Sequence, residues 1–288
     1  MKPLLFLLCV LYACGGGVAQ TPARQPSPAS PEPKWKLVWS DEFNGPANSL
    51  PAKSDWNFIK GWGSNNNHEI QWYCEPNNDE GPCDPQNPNL YEDGQGHLVL
   101  KAIHNGQRWS SARLETENKH TILYGRVEAR LRMEPGAGFW PAIWLLGDDM
   151  ETAHWPNCGE QDIMEWVQAY GPGTTSSTAH GPGYSAGGGI DRRFPFPNGG
   201  RIDDGQFHTY GMTWFKDRME FYRDDPTKPF FVVTPASLPA GKKWVFDHPF
   251  YVILNFAVGE GGFSGTVDET TPSAGKMWVD YVRFYQQQ

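Results

Sequence analysis

Beyond its N-terminal leader the chain has no stretch approaching the ~20 consecutive apolar residues that a membrane-spanning helix needs. Long helices are missing as well, since no window of about twelve residues carries a convincing amphipathic helical period. There is no long basic run: 24 Lys and Arg stand against 33 Asp and Glu, for a net charge of −9. That balance disfavours nucleic acid, anionic membrane surfaces and sulfated polysaccharides as partners. Cysteine is scarce, five in 288 residues, and neither CxxC nor His–Cys spacing occurs, which argues against a thiolate metal site. No internal repeat is present.

What is present begins with a leader. Residues 1–20, MKPLLFLLCVLYACGGGVAQ, open on Lys2, run apolar from Leu4 to Ala13 and end in small residues. This is the pattern of a secretory signal with cleavage after Ala19. The alternative takes Leu11-Tyr12-Ala13-Cys14 as a lipoprotein site with Cys14 acylated. Residues 21–34 are Pro-, Ser- and Ala-rich, which reads as a linker. One catalytic-size domain then spans 35–288. Cys9 and Cys14 fall in the leader. Cys74 and Cys83 flank a loop rich in Pro, Asn, Asp and Gly, so an exported protein is expected to join them in a disulfide. Cys158 is left over, as a small buried hydrophobe.

Aromatic residues are abundant: 13 Trp, 11 Tyr and 16 Phe, 14% of the chain. Such faces pack a core, and they also stack on the C–H faces of sugars. Short β-type runs separated by Gly, Pro, Asn and Asp recur along the domain. They are Lys36–Trp39, His97–Ala102, Gly125–Met133, Pro141–Leu146, Asp162–Val167, His208–Phe215, Arg218–Arg223, Phe250–Ala257 and Met277–Tyr285. In one of them Val127, Ala129, Leu131 and Met133 alternate with Glu128, Arg130 and Arg132. Period-two patterning at this spacing predicts an all-β sandwich or barrel.

The chemistry-bearing segment is Gly159-Glu160-Gln161-Asp162-Ile163-Met164-Glu165-Trp166. In a regular strand Glu160 and Asp162 share a face, while Glu165 points away. One extra residue between Asp162 and Glu165, a β-bulge, returns Glu165 to the face of Glu160. The backbones then stand ~13 Å apart, and two long side chains leaning inward can approach the ~5–5.5 Å carboxyl separation of a retaining glycosidase. Clustered carboxylates raise one another's pKa, so one stays protonated while another is ionised. Glu160 is the expected nucleophile, Glu165 the acid/base and Asp162 the group that positions the nucleophile. A solvated acidic strand face or a calcium loop is the plainer alternative.

GEQDIMEW resembles the E-I-D-I-M-E signature of glycoside hydrolase family 16, in its bulged, laminarinase-like branch. The resemblance continues through Trp39-Ser40-Asp41-Glu42-Phe43, GWGSNNNHEIQWY (61–73), the 124–147 segment and WPNCGEQDIMEW (155–166). It extends to AHGPGYSAGGGI (179–190), FHTYGMTW (207–214) and WVDYVRFYQ (278–286), and so covers about residues 35–286. It implies a concanavalin-like β-jelly-roll sandwich with an open cleft on the concave sheet. The implied activity is a secreted, monomeric endo-β-1,3-glucanase acting on laminarin-type β-glucan, with no cofactor for catalysis. Trp140 and Trp144, four apart on one strand face, are expected to stack on successive sugars, with core packing as the alternative. His180, counted with the substrate-binding residues, matches a histidine position near the acid/base. Asn67, Arg113 and Asn255 match sugar-contacting positions, and Asp280 matches a structural calcium position, with structural hydrogen-bonding or solvated residues as the alternative. Departures are Gln161 in place of Ile, an added residue at Ser64, an insertion at 74–90 and GEGGFSG (259–265) in place of G-G-N-x-x-G. Gln161 is expected to find a polar partner in the second sheet. Other readings are a mixed-linkage β-1,3-1,4-glucan hydrolase, a transglycosylase and a non-catalytic β-glucan-binding protein.

Overall fold

Alternation decides the two faces of each strand. In the Gly125–Met133 strand Val127, Ala129, Leu131 and Met133 are buried, while Arg126, Arg130 and Arg132 stay partly exposed on the other face. The structure, a computed structural model, describes residues 33–288. The leader, Cys14 and residues 21–32 of the linker lie outside the described residues.

Lys34–Gln288 forms one compact unit of two large sheets, antiparallel except where strand 71–73 runs parallel to 109–111. The first runs, in spatial order, Ile190–Pro195, Thr174–His180, Glu160–Glu165, Phe139–Gly147, Phe250–Val258, Arg113–Glu115 and Asn57–Phe58. The central path of the second runs Phe231–Val233, Arg218–Arg223, His208–Phe215, Gly125–Met133, Ala274–Gln287 and Leu98–His104 before the shorter strands at 109–111, 71–73 and 61–62. One hydrophobic cluster takes residues from both, among them Ile143, Ile163, Leu254 and Phe256 from the first and Leu100, Leu131, Met212 and Val279 from the second. This is a β-sandwich of the jelly-roll type: the strand pattern predicts a sandwich or barrel, and the family resemblance implies the jelly roll.

The Phe250–Val258 strand is buried at every position. Its inner face meets the second sheet, and its outer face carries Asn255 toward Trp144. The expected Cys74–Cys83 disulfide is formed, and Cys158 is buried and free. Closing a loop of this size stabilises the fold by about 2–3 kcal/mol through the unfolded chain. Cys74→Ser is therefore expected to lower unfolding free energy by about that amount while leaving kcat intact, which chemical denaturation and initial rates would check.

Gln161 corrects an expectation. It is fully buried, but neither amide atom finds a hydrogen-bond partner in the described residues. An orphaned buried amide costs about 1–3 kcal/mol. Gln161→Leu, which keeps the volume without the amide, is expected to raise stability by that order, read as an upward shift of the urea midpoint.

Candidate active site

The expected bulge sits in the Glu160–Glu165 strand. Against the Phe139–Gly147 strand, Glu160 pairs with Leu146, Gln161 with Leu145 and Asp162 with Trp144; the next pair is Met164 with Ile143, so Ile163 is the extra residue. On the other side Asp162 pairs with Thr178 and Glu165 with Ser176, three steps against two. Ile163 and Met164 both turn into the core as a result, and Glu165 returns to the face of the other acids. The neighbouring strand verifies this. Thr178 and His180, two apart and therefore on one face, contact all three carboxylates. Ser177, just before Thr178 and on the opposite face, donates its hydroxyl to the carbonyl of Ile163 at 2.6 Å. The bulge thus leaves that buried acceptor satisfied.

Each terminal acid is held by an indole. Trp155 Nε1 donates to Glu160 Oε2 at 2.7 Å, and Trp140 Nε1 donates to Glu165 Oε1 at 3.0 Å. Thr178 Oγ1 lies 3.4 Å from Glu165 Oε2. His180 Nε2 stands 3.1 Å from Asp162 Oδ2 and 3.8 Å from Glu160 Oε1. The ring rests against the backbone of Gly189, where a Cβ would come within 2.4 Å of it.

Burial dominates the electrostatics. It pushes Glu160 up to about 8, with the charge of Asp162 as the next cause. It pushes Glu165 up to about 7, where the charge of Glu160 also raises it and His180 pulls down. Asp162 is raised well above the ordinary carboxylate range by burial and then by Glu165. Neighbours this close titrate as a set, so the cluster retains protons into the neutral range. A site that keeps one carboxyl protonated and can free another is equipped for acid-assisted nucleophilic displacement.

The structure brings most of the other expected residues alongside. Trp144 Nε1 donates to Asn255 Oδ1 at 2.8 Å, and Asn255 Nδ2 donates to Tyr73 OH at 3.2 Å. Tyr73 OH in turn donates to Glu69 Oε2 at 3.1 Å. Glu69 also accepts from Gln71 Nε2 at 2.6 Å and from Asn67 Nδ2 at 3.4 Å. Arg113 lies 5.0 Å over the Trp144 ring and pairs with Glu115. Trp140 and Trp144 are half-buried, and Phe263 from the 259–265 loop packs edge-on to Trp140 at 5.1 Å.

Asp280 stands apart. It lies on the second sheet, where its carboxylate is ion-paired with Arg130, and that guanidinium already supplies the positive charge. The residues there do not fit the calcium expected from the resemblance. Among the described residues the group able to hold a metal ion is instead Glu160, Asp162 and His180, whose ligand atoms lie within 4.8 Å of one another.

Sequence reasoning missed Trp155, Glu69, Tyr73, Thr178 and Phe263. Trp155 and Thr178 flank the acid strand in sequence or in pairing, but only the folded register reveals the contact. Glu69 had a signal in the polar side chains around it, Asn67 and Gln71, which it collects.

A sequence profile described as glycosyl hydrolases family 16 matches residues 81–283. A beta-glucanase of Rhodothermus marinus is 34% identical over 99% of this chain and 95% of its own length. The catalytic domain of an endo-1,3-beta-glucanase (laminarinase) from Thermotoga petrophila superposes with a TM-score of 0.77 at 35% identity, covering 89% of this chain and 100% of that one. A non-specific endo-beta-1,3(4)-glucanase superposes with a TM-score of 0.70 at 33% identity, covering 89% of this chain and 95% of that one.

Proposed function

The chain belongs to glycoside hydrolase family 16, and from that membership we propose that it is a retaining endo-β-1,3-glucanase in which Glu160 is the nucleophile and Glu165 the acid/base. One observation carries the catalytic set: the bulge at Ile163 gathers Glu160, Asp162 and Glu165 on one face, each terminal acid gripped by an indole N–H, while the division of roles follows the family signature.

In the proposed reaction a Glu160 oxygen attacks the anomeric carbon as Glu165 gives its proton to the departing glycosidic oxygen. A covalent glycosyl-enzyme forms with inverted configuration. Glu165, now a carboxylate, takes a proton from water, whose oxygen attacks the same carbon and releases Glu160, restoring the original configuration. In the free site Glu160 shares a hydrogen bond with Asp162. Asp162 is proposed to keep that proton when Glu160 must act as an anion. Asn255, Trp144, Arg113 and, through Glu69, Asn67 are proposed to line the sugar path, with Trp140 beside the acid/base and His180 beside the nucleophile.

Digestion of laminarin, mixed-linkage glucan, agarose and carrageenan in parallel, with linkage analysis of the products, tests the substrate. Laminarin is expected to be cut internally at β-1,3 bonds, and proton NMR of early products should show the β-anomer first. Early α-anomer, or preference for agarose or carrageenan, would refute the proposal. Activity on mixed-linkage glucan is the second reading, favoured by the likeness to a non-specific 1,3(4)-glucanase. Export is also proposed, supported by the Cys74–Cys83 disulfide, since such bonds persist in oxidising compartments.

A further inference from the structure

We propose that Glu160, Asp162 and His180 form a binding site for a first-row transition-metal dication, with Zn2+ as the representative ion, whose occupancy switches off hydrolysis. The inhibitory half rests on the role proposed above for Glu160; the binding half does not.

The geometry is that of a chelate. Metal–ligand bonds of ~2.1 Å at tetrahedral angles place ligand atoms ~3.4 Å apart. His180 Nε2 stands 3.1 Å from Asp162 Oδ2 and 3.8 Å from Glu160 Oε1, on either side of that spacing. The third separation also falls within 4.8 Å. The chemistry agrees. Asp162 is 2% exposed, and its Oδ2, aimed at the imidazole, receives no well-directed hydrogen bond. No Lys or Arg of the described residues pairs with Glu160 or Asp162. A buried carboxylate and a part-buried one, with no cationic side chain of the described residues beside them and an imidazole nitrogen in reach, are a set of donors open to a cation.

The imidazole decides which ion. Calcium and magnesium take oxygen donors, whereas imidazole with carboxylates suits zinc, copper and nickel. The other ring nitrogen of His180, Nδ1, has no partner among the described residues to orient it. Ligand histidines of tight sites have such a partner, so binding here is reversible rather than permanent. Two other histidines sit between carboxylates without making a site. Asp149 and Asp247 flank opposite nitrogens of His248, as Asp204 and Asp224 flank opposite nitrogens of His208. One ion cannot reach both acids and the ring in that arrangement.

The test uses the full chain stripped with chelator and titrated with ZnCl2 by calorimetry, followed by CoCl2 with visible spectroscopy. One Zn2+ per chain is expected, released by EDTA, with Co2+ giving the intense bands of a low-symmetry nitrogen–oxygen site. Glu160→Gln and His180→Gln, checked for folding by circular dichroism, should each weaken binding at least ~10-fold. His208→Gln and His248→Gln should leave it unchanged. Laminarin hydrolysis should fall over the same Zn2+ range that fills the site, and equal Ca2+ or Mg2+ should have no effect. Absence of saturable binding, or binding indifferent to Glu160 and His180, overturns the proposal. Metal binding as described by a chain that never hydrolyses glucan would keep the site and sink the enzymatic reading; hydrolysis without binding would do the reverse.

Discussion

Glu160→Ala is expected to abolish glucan hydrolysis, whereas Glu165→Ala is expected to lose activity only where the leaving group needs a proton. Without Glu160 no covalent intermediate can form, so neither natural nor activated glycosides turn over. Without Glu165 the first step on laminarin loses general-acid help, a factor of about 10²–10⁴. An aryl glycoside whose phenol leaves as a stable anion bypasses that need, and its glycosyl-enzyme then accumulates. Azide separates the two cases. In Glu165→Ala it attacks the glycosyl-enzyme in place of water and gives the β-glycosyl azide. In Glu160→Ala it fills the space of the lost carboxylate, attacks the substrate directly and gives the α-glycosyl azide. The anomeric configuration of the azide product, read by NMR, therefore reports which face each acid serves. Equal insensitivity of both variants to azide would reverse or remove the assignment.

Much of this site was legible because the constraints are local. An odd offset between Glu160 and Glu165 leaves two choices, opposite faces or one inserted residue, and adjacent apolar Ile163 and Met164 mark where both can face the core. Period-two alternation likewise exposed the Gly125–Met133 strand. The strand ends were less legible: Ala274–Gln287 extends past both ends of the Met277–Tyr285 run, because its margins are held by Leu98–His104 and Trp35–Asp41 rather than by their own apolar pattern.

What stayed hidden depends on pairing between distant segments. The Asn255–Tyr73 hydrogen bond joins residues 182 apart, and no spacing rule foretells it. Asp280 lies where the register between two strands slips, next to the Arg130–Tyr281 pair, and this slip hands its carboxylate to Arg130. Gln161 is opaque for the opposite reason. Its burial follows from strand period, but whether a partner awaits it depends on the facing sheet, and none does.

Heating the protein at pH 5 and at pH 8 should show it less stable at pH 8, with Glu160→Gln and Glu165→Gln correcting most of the loss. Glu160 is raised to about 8, Glu165 to about 7, and Asp162 well above its ordinary value, each chiefly by burial. The unfolded chain releases these protons near pH 4, so between that point and pH 8 the folded state binds more protons than the unfolded one. Stability then falls as pH rises: the contribution is complete below the unfolded pKa and is lost through the folded values. Groups shifted the other way, such as Glu42 beside Arg283 and Asp224 beside His208, act only at lower pH. Their contribution is present above the unfolded pKa and is lost on further acidification, which places the optimum in the mildly acidic range. A glutamine keeps the shape of the acid and has no charge to bury, so either variant should gain on the order of a few kcal/mol at pH 8. For a domain of this size that is roughly 5–10 °C in Tm, with little change at pH 5. A wild-type Tm that is level across this range, or variants that melt lower at pH 8, would show that the three acids are solvated rather than buried. The proposed chemistry would then lose the raised pKa values on which it runs. Catalytic competence and stability pull against each other here, because the same low-polarity wall that keeps Glu165 protonated makes every ionised carboxylate in the strand costly.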